Sequence, residues 1–179
     1  MHGIVHVELM RYVETVYGED VWETLLEKAG LGSKLYMASQ AYDDQEIYRL
    51  METASEMTGK RPDELLRAFG EFVLPNLMNI YKTLIDPSWK TIDFLLNVED
   101  TIHAVVRARR TGAEPPQLKV ERVASDEVLI TYTSHRKLCP FLIGMATGVA
   151  NYFNEKIIIQ EHTCMHKGAK QCQVSIKQG

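Results

Sequence analysis

Residues 111–136 read TGAEPPQLKVERVASDEVLITYTSHR, and within them the texture of the chain changes. Gly112 and the adjacent Pro115 and Pro116 mark a loop, because proline has no N–H to donate and glycine tolerates unusual backbone angles. Past them, LKVERVAS and EVLITYTS are two runs rich in β-branched residues, joined by the polar turn Ala124-Ser125-Asp126. They predict two paired strands. Upstream, the spacing of apolar residues is helical. Val5, Leu9, Val13 and Val16 recur three or four apart, predicting a helix over Ile4 to Tyr17. Gly18 ends it, and Asp20 is placed to cap a second helix through Trp22, Leu25 and Leu26 to Gly30. A third is predicted from Asp43 to Met57. Pro62 with Asp63 and Glu64 opens a fourth, which holds Leu65, Leu66, Phe69, Phe72 and Val73 and which Pro75 should bend or break. After Asp86-Pro87-Ser88, a further helix is expected from about Lys90 to Arg110. Downstream, Pro140 to Phe153 predicts one more helix containing Gly144 and Gly148, and KIIIQEHT and QCQVSIK predict a second strand pair. Helices first (1–110) and a four-stranded antiparallel sheet last (111–179) make a single α+β domain over residues 1–179.

The composition fits that reading. The 179 residues are 45% hydrophobic and 25% charged, which suits a packed soluble chain and not a disordered one. Twenty Lys and Arg against 24 Asp and Glu leave a net charge of −4, the wrong sign for a general nucleic-acid binder. No apolar run reaches the roughly 20 residues needed to span a bilayer. The opening MHGIVHVELMRYVE has Glu8 and Arg11 inside its apolar pattern, so no signal peptide is expected. Three cysteines, an odd number, suit a reducing cytoplasm better than a disulfide framework.

Two constellations can carry chemistry. In TYTSHR, Tyr132, Ser134 and Arg136 alternate; if the segment stays extended, side chains two apart share one face at about 6.5–7 Å. A phenol, a hydroxyl and a guanidinium in a row suit a ligand with two carboxylates, though a polar strand end facing solvent has the same pattern. His103, in NVEDTIHAVVRA, borders the apolar stripe Phe94, Val98, Ile102 and Val106. It reads either as a hydrogen-bonded core histidine or as an imidazole aimed at a metal or haem iron.

The order His103, Pro-Pro loop, then Tyr-x-Ser-x-Arg at Tyr132, Ser134 and Arg136 resembles the H-NOX family, the haem nitric oxide/oxygen-binding domains. The MxG start, the AFGEF segment and the GAEPPQL loop are similar too, so the resemblance covers essentially the whole chain. It implies an α+β fold enclosing b-type haem, with His103 as proximal iron ligand, Tyr132, Ser134 and Arg136 clamping the propionates, and Pro116 pressing on the porphyrin. Relatives that hold O2 stably use a distal tyrosine supported by a tryptophan and an asparagine. The matched positions here are Phe141, Leu9 and Val73, which cannot donate, and Val5, Leu77, Leu142 and Met145 complete an apolar lining. The resemblance therefore implies a non-catalytic NO sensor that also takes CO. NO would weaken the iron–His103 bond and shift the domain. Its output is expected from a separate protein such as a histidine kinase or a cyclic-di-GMP enzyme.

HTCMHKGAKQC holds His162, Cys164, His166 and Cys172, and Cys139 follows the clamp motif. With Cys139 folded back, these supply the nitrogen and sulfur ligands that a structural zinc takes. Three free thiols are the alternative. Some H-NOX proteins carry such a zinc with three cysteines and a histidine one position earlier, where this chain has Glu161. His162 is preferred here over His166 as the fourth ligand. If the cluster is the input, the protein is a redox sensor in which oxidation ejects the metal. A haem peroxidase finds no acid–base histidine unless His6 turns inward.

Overall fold

The structure, a computed structural model, describes residues 1–109 and 114–179; Arg110 and the Thr111, Gly112 and Ala113 of the expected loop lie outside the described residues. Helix α1 (Gly3–Tyr17) ends at Gly18, whose φ of 110° suits glycine and turns the chain directly into α2 (Glu19–Lys28). Gly18, not Asp20, therefore occupies the capping position. Asp20 instead joins Glu19 in the first turn, where a negative charge favours the helix dipole. The Asp43 carboxylate accepts the Gln45 N–H at 2.9 Å and starts α3 (Asp44–Thr58).

Helix α4 (Pro62–Ile80) opens with the Glu64 carboxylate accepting the Arg61 N–H at 3.0 Å. It runs through Pro75 as one helix, so of the expected bend or break the break does not occur. The proline removes one donor, and the carbonyl it would have served, that of Glu71, faces α7 (Cys139–Tyr152): a Cβ added at Gly148 would lie 3.0 Å from it. The two helices meet backbone to backbone. A Cβ at Gly144 would lie 2.0 Å from the Arg67 carbonyl oxygen, and one at Gly70 2.4 Å from that of Phe141. The glycine of AFGEF is thus required by the packing of α4 on α7.

The helix expected from Lys90 is present but not uniform. It consists of α5 (Thr91–Val98), a π turn over Glu99–His103, and α6 (Ala104–Arg109). In the π turn the Ala104 N–H reaches the Glu99 carbonyl, five residues back. Just before and within it, Asn97 and Thr101 donate side-chain bonds to the carbonyls four back, at 2.8 and 2.6 Å. Such side-chain bonds compete with the regular ladder.

Strands β1 (Gln117–Ala124), β2 (Glu127–Thr133), β3 (Ile157–Thr163) and β4 (Cys172–Gln178) form one antiparallel sheet in the order β1-β2-β4-β3. On its inner face Val128, Ile130 and Tyr132 lie opposite Ile176, Val174 and Cys172, and Ile92, Leu95 and Ile143 pack against that layer. A second core of Leu9, Tyr12, Leu25, Leu50 and Phe69 joins α1 to α4. Among the described residues no helix is long and apolar enough to cross a membrane.

Candidate functional site

Where α1, α4, α7, the bent α5–α6 helix and the β1–β2 pair converge, they leave a cavity of about 250 Å³. Its wall is mainly apolar and includes Val5, Leu77, Phe141, Leu142 and Met145, all singled out in the sequence. Leu9 and Val73 do not reach it. Leu9 lies one turn past Val5 on α1, 1% exposed, and lines a separate small cavity with Tyr12 and Met51; Val73 is 2% exposed in the same core as Leu9. On α4 it is Leu74, Leu77 and Met78 that face the cavity instead. Phe69, Phe94 and Ile102 complete much of the wall; their periodicity marked them only as core.

Two polar residues on the wall, His2 and Tyr81, were not anticipated, since both stand where the helical pattern begins or ends. His6 does not turn toward the cavity. Fully buried, it stacks on the Tyr36 ring with centroids 4.3 Å apart, and burial holds it mainly neutral at about 4.

His103 lies on the wall at the end of the π turn. Its Nδ1 is 2.8 Å from a Glu99 oxygen, and the other Glu99 oxygen accepts from Arg107 at 2.6 Å. Burial lowers the His103 pKa, and the Glu99 hydrogen bond only partly offsets this, which favours the neutral ring. A carboxylate can only accept. Nδ1 therefore carries the proton, and Nε2 keeps a lone pair with no hydrogen-bond partner among the described residues.

Across the cavity stand Pro115, Pro116, Tyr132, Ser134 and Arg136. The row does not arise from an extended strand, as expected, because β2 ends at Thr133. Ser134 to Lys137 form a turn in which the Lys137 N–H reaches the Ser134 carbonyl at 3.1 Å and Lys137 takes a φ of 49°. Strand geometry places only Tyr132, and the turn brings Ser134 and Arg136 to the same wall. The Tyr132 hydroxyl accepts the Leu138 N–H at 3.1 Å, and burial pushes its phenol up to about 12. Arg136 donates through Nε to Asp44 at 2.8 Å and through Nη1 to the Glu114 carbonyl at 2.7 Å. Burial opposes ionisation of Asp44, but hydrogen bonds from Arg136, the N-terminal amine and His135 outweigh it and hold the carboxyl well below its usual range. An imidazole lone pair on one wall and a guanidinium and hydroxyl on another suit a flat apolar ligand with a metal centre and anionic substituents.

The three thiols form a second cluster. Cys139, Cys164 and Cys172 are buried, with sulfurs all within 4.8 Å of one another and Cys139 3.8 Å from Cys164. Burial raises the Cys139 thiol well above its ordinary value. His162 is not with them, and strand alternation is the reason. Glu161 pairs with Val174 on the inner face, which also carries Cys172, whereas His162 bonds the Ser175 hydroxyl on the outer face at 3.0 Å. His166 bonds the Lys137 carbonyl at 2.7 Å, and Glu161 pairs with Lys167 at 2.7 Å.

A family model described as Haem-NO-binding matches residues 2–161. The chain belongs to the haem-NO-binding family. Such H-NOX domains are haem-based gas sensors that take gases such as NO and CO and signal to partner proteins; they are not themselves catalytic. The fold agrees. An H-NOX protein from S. oneidensis crystallised in the Fe(II)NO state superposes with a TM-score of 0.93 at 26% identity, covering 100% of this chain and 99% of that one. The NMR structure of an H-NOX domain from Shewanella oneidensis in the Fe(II)CO state gives 0.89 at 26% identity, covering 100% and 99%. Soluble guanylate cyclase 89Da of Drosophila melanogaster is 26% identical over 156 residues, 86% of this chain and 23% of that protein. Soluble guanylate cyclase gcy-35 of Caenorhabditis elegans is 26% identical over 178 residues, 94% and 26% respectively. The chain thus spans about a quarter of the length of the curated relatives it matches. Their cyclase activity belongs to a separate domain that this chain does not match.

Proposed function

We propose that the domain formed by residues 1–179 is a cytoplasmic nitric oxide sensor, with b-type haem held by His103 and clamped through its propionates by Tyr132, Ser134 and Arg136. The observation that carries this reading is the His103 imidazole, with Nδ1 engaged by Glu99 and Nε2 without a hydrogen-bond partner among the described residues, on the wall of a mainly apolar cavity. The polar edge fits as well. Asp44 fixes the guanidinium through Nε, and among the described residues the Nη2 edge meets the exposed Glu114 carboxylate at 3.6 Å, which a propionate can displace. Ferrous haem, when bound, supplies an iron that takes diatomic gases such as NO and CO.

This chain's residues do the rest. Val5, Leu77, Phe141 and Met145 would exclude water and offer no hydrogen to the gas, Pro116 on the same wall would abut the ring, and His103 ties the cavity to the π turn. His103 closes the π turn between α5 and α6, and α5 packs on β1 and β2, so a displacement of His103 would be carried to the sheet. The receiver is a separate signalling protein, of the histidine kinase or cyclic-di-GMP enzyme kind.

Selectivity is the test. The ferrous protein is expected to bind NO and CO and to form no stable O2 complex in air. A hydrogen bond to a charged acceptor contributes roughly 1.5–3 kcal/mol, about one to two decades in affinity. Phe141→Tyr should therefore raise O2 affinity by up to about two decades and leave NO binding nearly unchanged. A persistent oxy spectrum from the unmutated protein would overturn the NO-selective reading, and His2 and Tyr81 would be the first donors to examine.

The sulfur geometry favours a second element of this reading, a structural zinc that also makes the C-terminal strands sensitive to oxidation. Zinc–sulfur bonds near 2.3 Å in a tetrahedron place the sulfurs about 3.8 Å apart, and Cys139 and Cys164 already stand at that spacing. Cys172 supplies the third thiolate. Glu161, on the same sheet face as Cys172, replaces His162 as the candidate for the fourth position. Protein prepared under reducing conditions should contain about one zinc per chain besides iron, and Cys164→Ser should lose the zinc while keeping the haem. Elemental analysis finding no zinc would remove this element and leave the haem reading intact.

A further inference from the structure

Glu99, His103 and Arg107 are spaced four apart along the bent helix, and the structure joins them through one carboxylate. Glu99 gives one oxygen to the His103 ring at 2.8 Å and the other to Arg107 at 2.6 Å. Glu99 and Arg107 are eight residues apart, so the arginine reaches back along the whole His103 turn to close the set. The π turn begins at Glu99 and ends at His103, and Arg107 follows one turn later on α6, so the three side chains lie along one face. The His103 and Glu99 side chains are 17% and 22% exposed, so the bond between them is shielded from water, while Arg107 at 42% forms its outer cover.

We propose that Glu99 is a positioning residue that sets the strength of the iron–histidine link, with Arg107 as its moderator; the inference rests on the reading of His103 as the iron ligand. A histidine that donates its second N–H to an acceptor is fixed in tautomer and ring orientation and becomes a more basic ligand. A carboxylate does this more strongly than a neutral oxygen, because the acceptor is charged. Glu99 therefore raises electron density at the His103 Nε2 and strengthens its hold on iron. Arg107 draws part of the carboxylate's charge to itself and keeps that hold from becoming too firm for a sensor that works by releasing the histidine. The threshold for the gas response is set jointly by these two side chains.

The test uses purified haem-loaded protein with Glu99→Gln and Arg107→Gln. Glutamine keeps an acceptor of nearly the same shape and removes the charge. In ferrous Glu99→Gln the iron–histidine stretching band in resonance Raman spectra should move to lower wavenumber. On NO addition, the equilibrium between histidine-bound and histidine-released protein should shift by roughly tenfold toward release. Arg107→Gln should move both readouts the other way. Opposite signs from two neighbours are what a merely structural role does not produce. Unchanged bands and unchanged release in both variants would overturn the inference. That outcome is distinct from failure of the haem assignment, which would show as His103→Ala protein that keeps haem and an unaltered spectrum.

Discussion

Protein expressed with His103→Ala should be purified nearly free of haem, and imidazole added during expression should restore a substantial part of the occupancy. Among the cavity-lining residues His103 is the imidazole whose Nδ1 is engaged by a carboxylate, which leaves Nε2 for the iron. Truncation removes the metal bond and also leaves the Glu99 carboxylate, 22% exposed, with only Arg107. The remaining hold on the ring would be the apolar wall and the edge at Tyr132, Ser134 and Arg136, which retain a flat molecule but do not ligate its metal. Free imidazole occupies the vacated volume and supplies the missing nitrogen without the tether to the π turn. A rescued protein should therefore bind gas normally while passing no change on to its partner. Wild-type haem content and spectra in His103→Ala, without imidazole, would overturn the proximal assignment.

Much of this arrangement was legible in the sequence because it depends on short periodicities. The strands around Ala124-Ser125-Asp126 and the helices opened by Asp43 and Pro62 follow from local capping and alternation, and the structure has them where expected. What the sequence concealed depends on neighbours. Pro75 reads locally as a breaker, yet α4 runs through it while packed closely on α7. Leu9 and Val5 share a helical stripe, and no periodicity separates a residue facing a cavity from one buried a turn beyond it. His162 looked interchangeable with its neighbours until the register of β3 on β4 put it on the outer face. The π turn leaves a trace in Asn97 and Thr101, which can bond back to the helix, but that signal is shared by many straight helices.

Gly144→Ala should lower the melting temperature by about 4–8 °C, a large effect for one methyl group. The added Cβ would meet the Arg67 carbonyl oxygen at 2.0 Å, its carbon at 2.7 Å and its Cα at 2.9 Å. All three are backbone atoms of α4, so no side chain can rotate away, and the helices must separate. Overpacking of this kind costs about 1–3 kcal/mol and sometimes more, whereas alanine's better helix propensity returns about 1 kcal/mol. A net cost of about 2 kcal/mol, the upper end of that difference, corresponds to the stated shift for a chain of this length. Gly70→Ala should act in the same direction, since its Cβ would meet the Phe141 oxygen at 2.4 Å across the same contact. The two losses should not add: once the helices have moved apart for one methyl, the second finds room already made. The separation also reaches the site, because Leu74 and Leu77 on α4 and Phe141 and Met145 on α7 are cavity wall. Calorimetry of the single and double variants, with CO affinity measured on the same samples, tests both points. A Gly144→Ala protein melting within about 2 °C of wild type would mean that α4 and α7 are not in the backbone contact described, and that the sensor cavity is less rigidly framed than the glycines require.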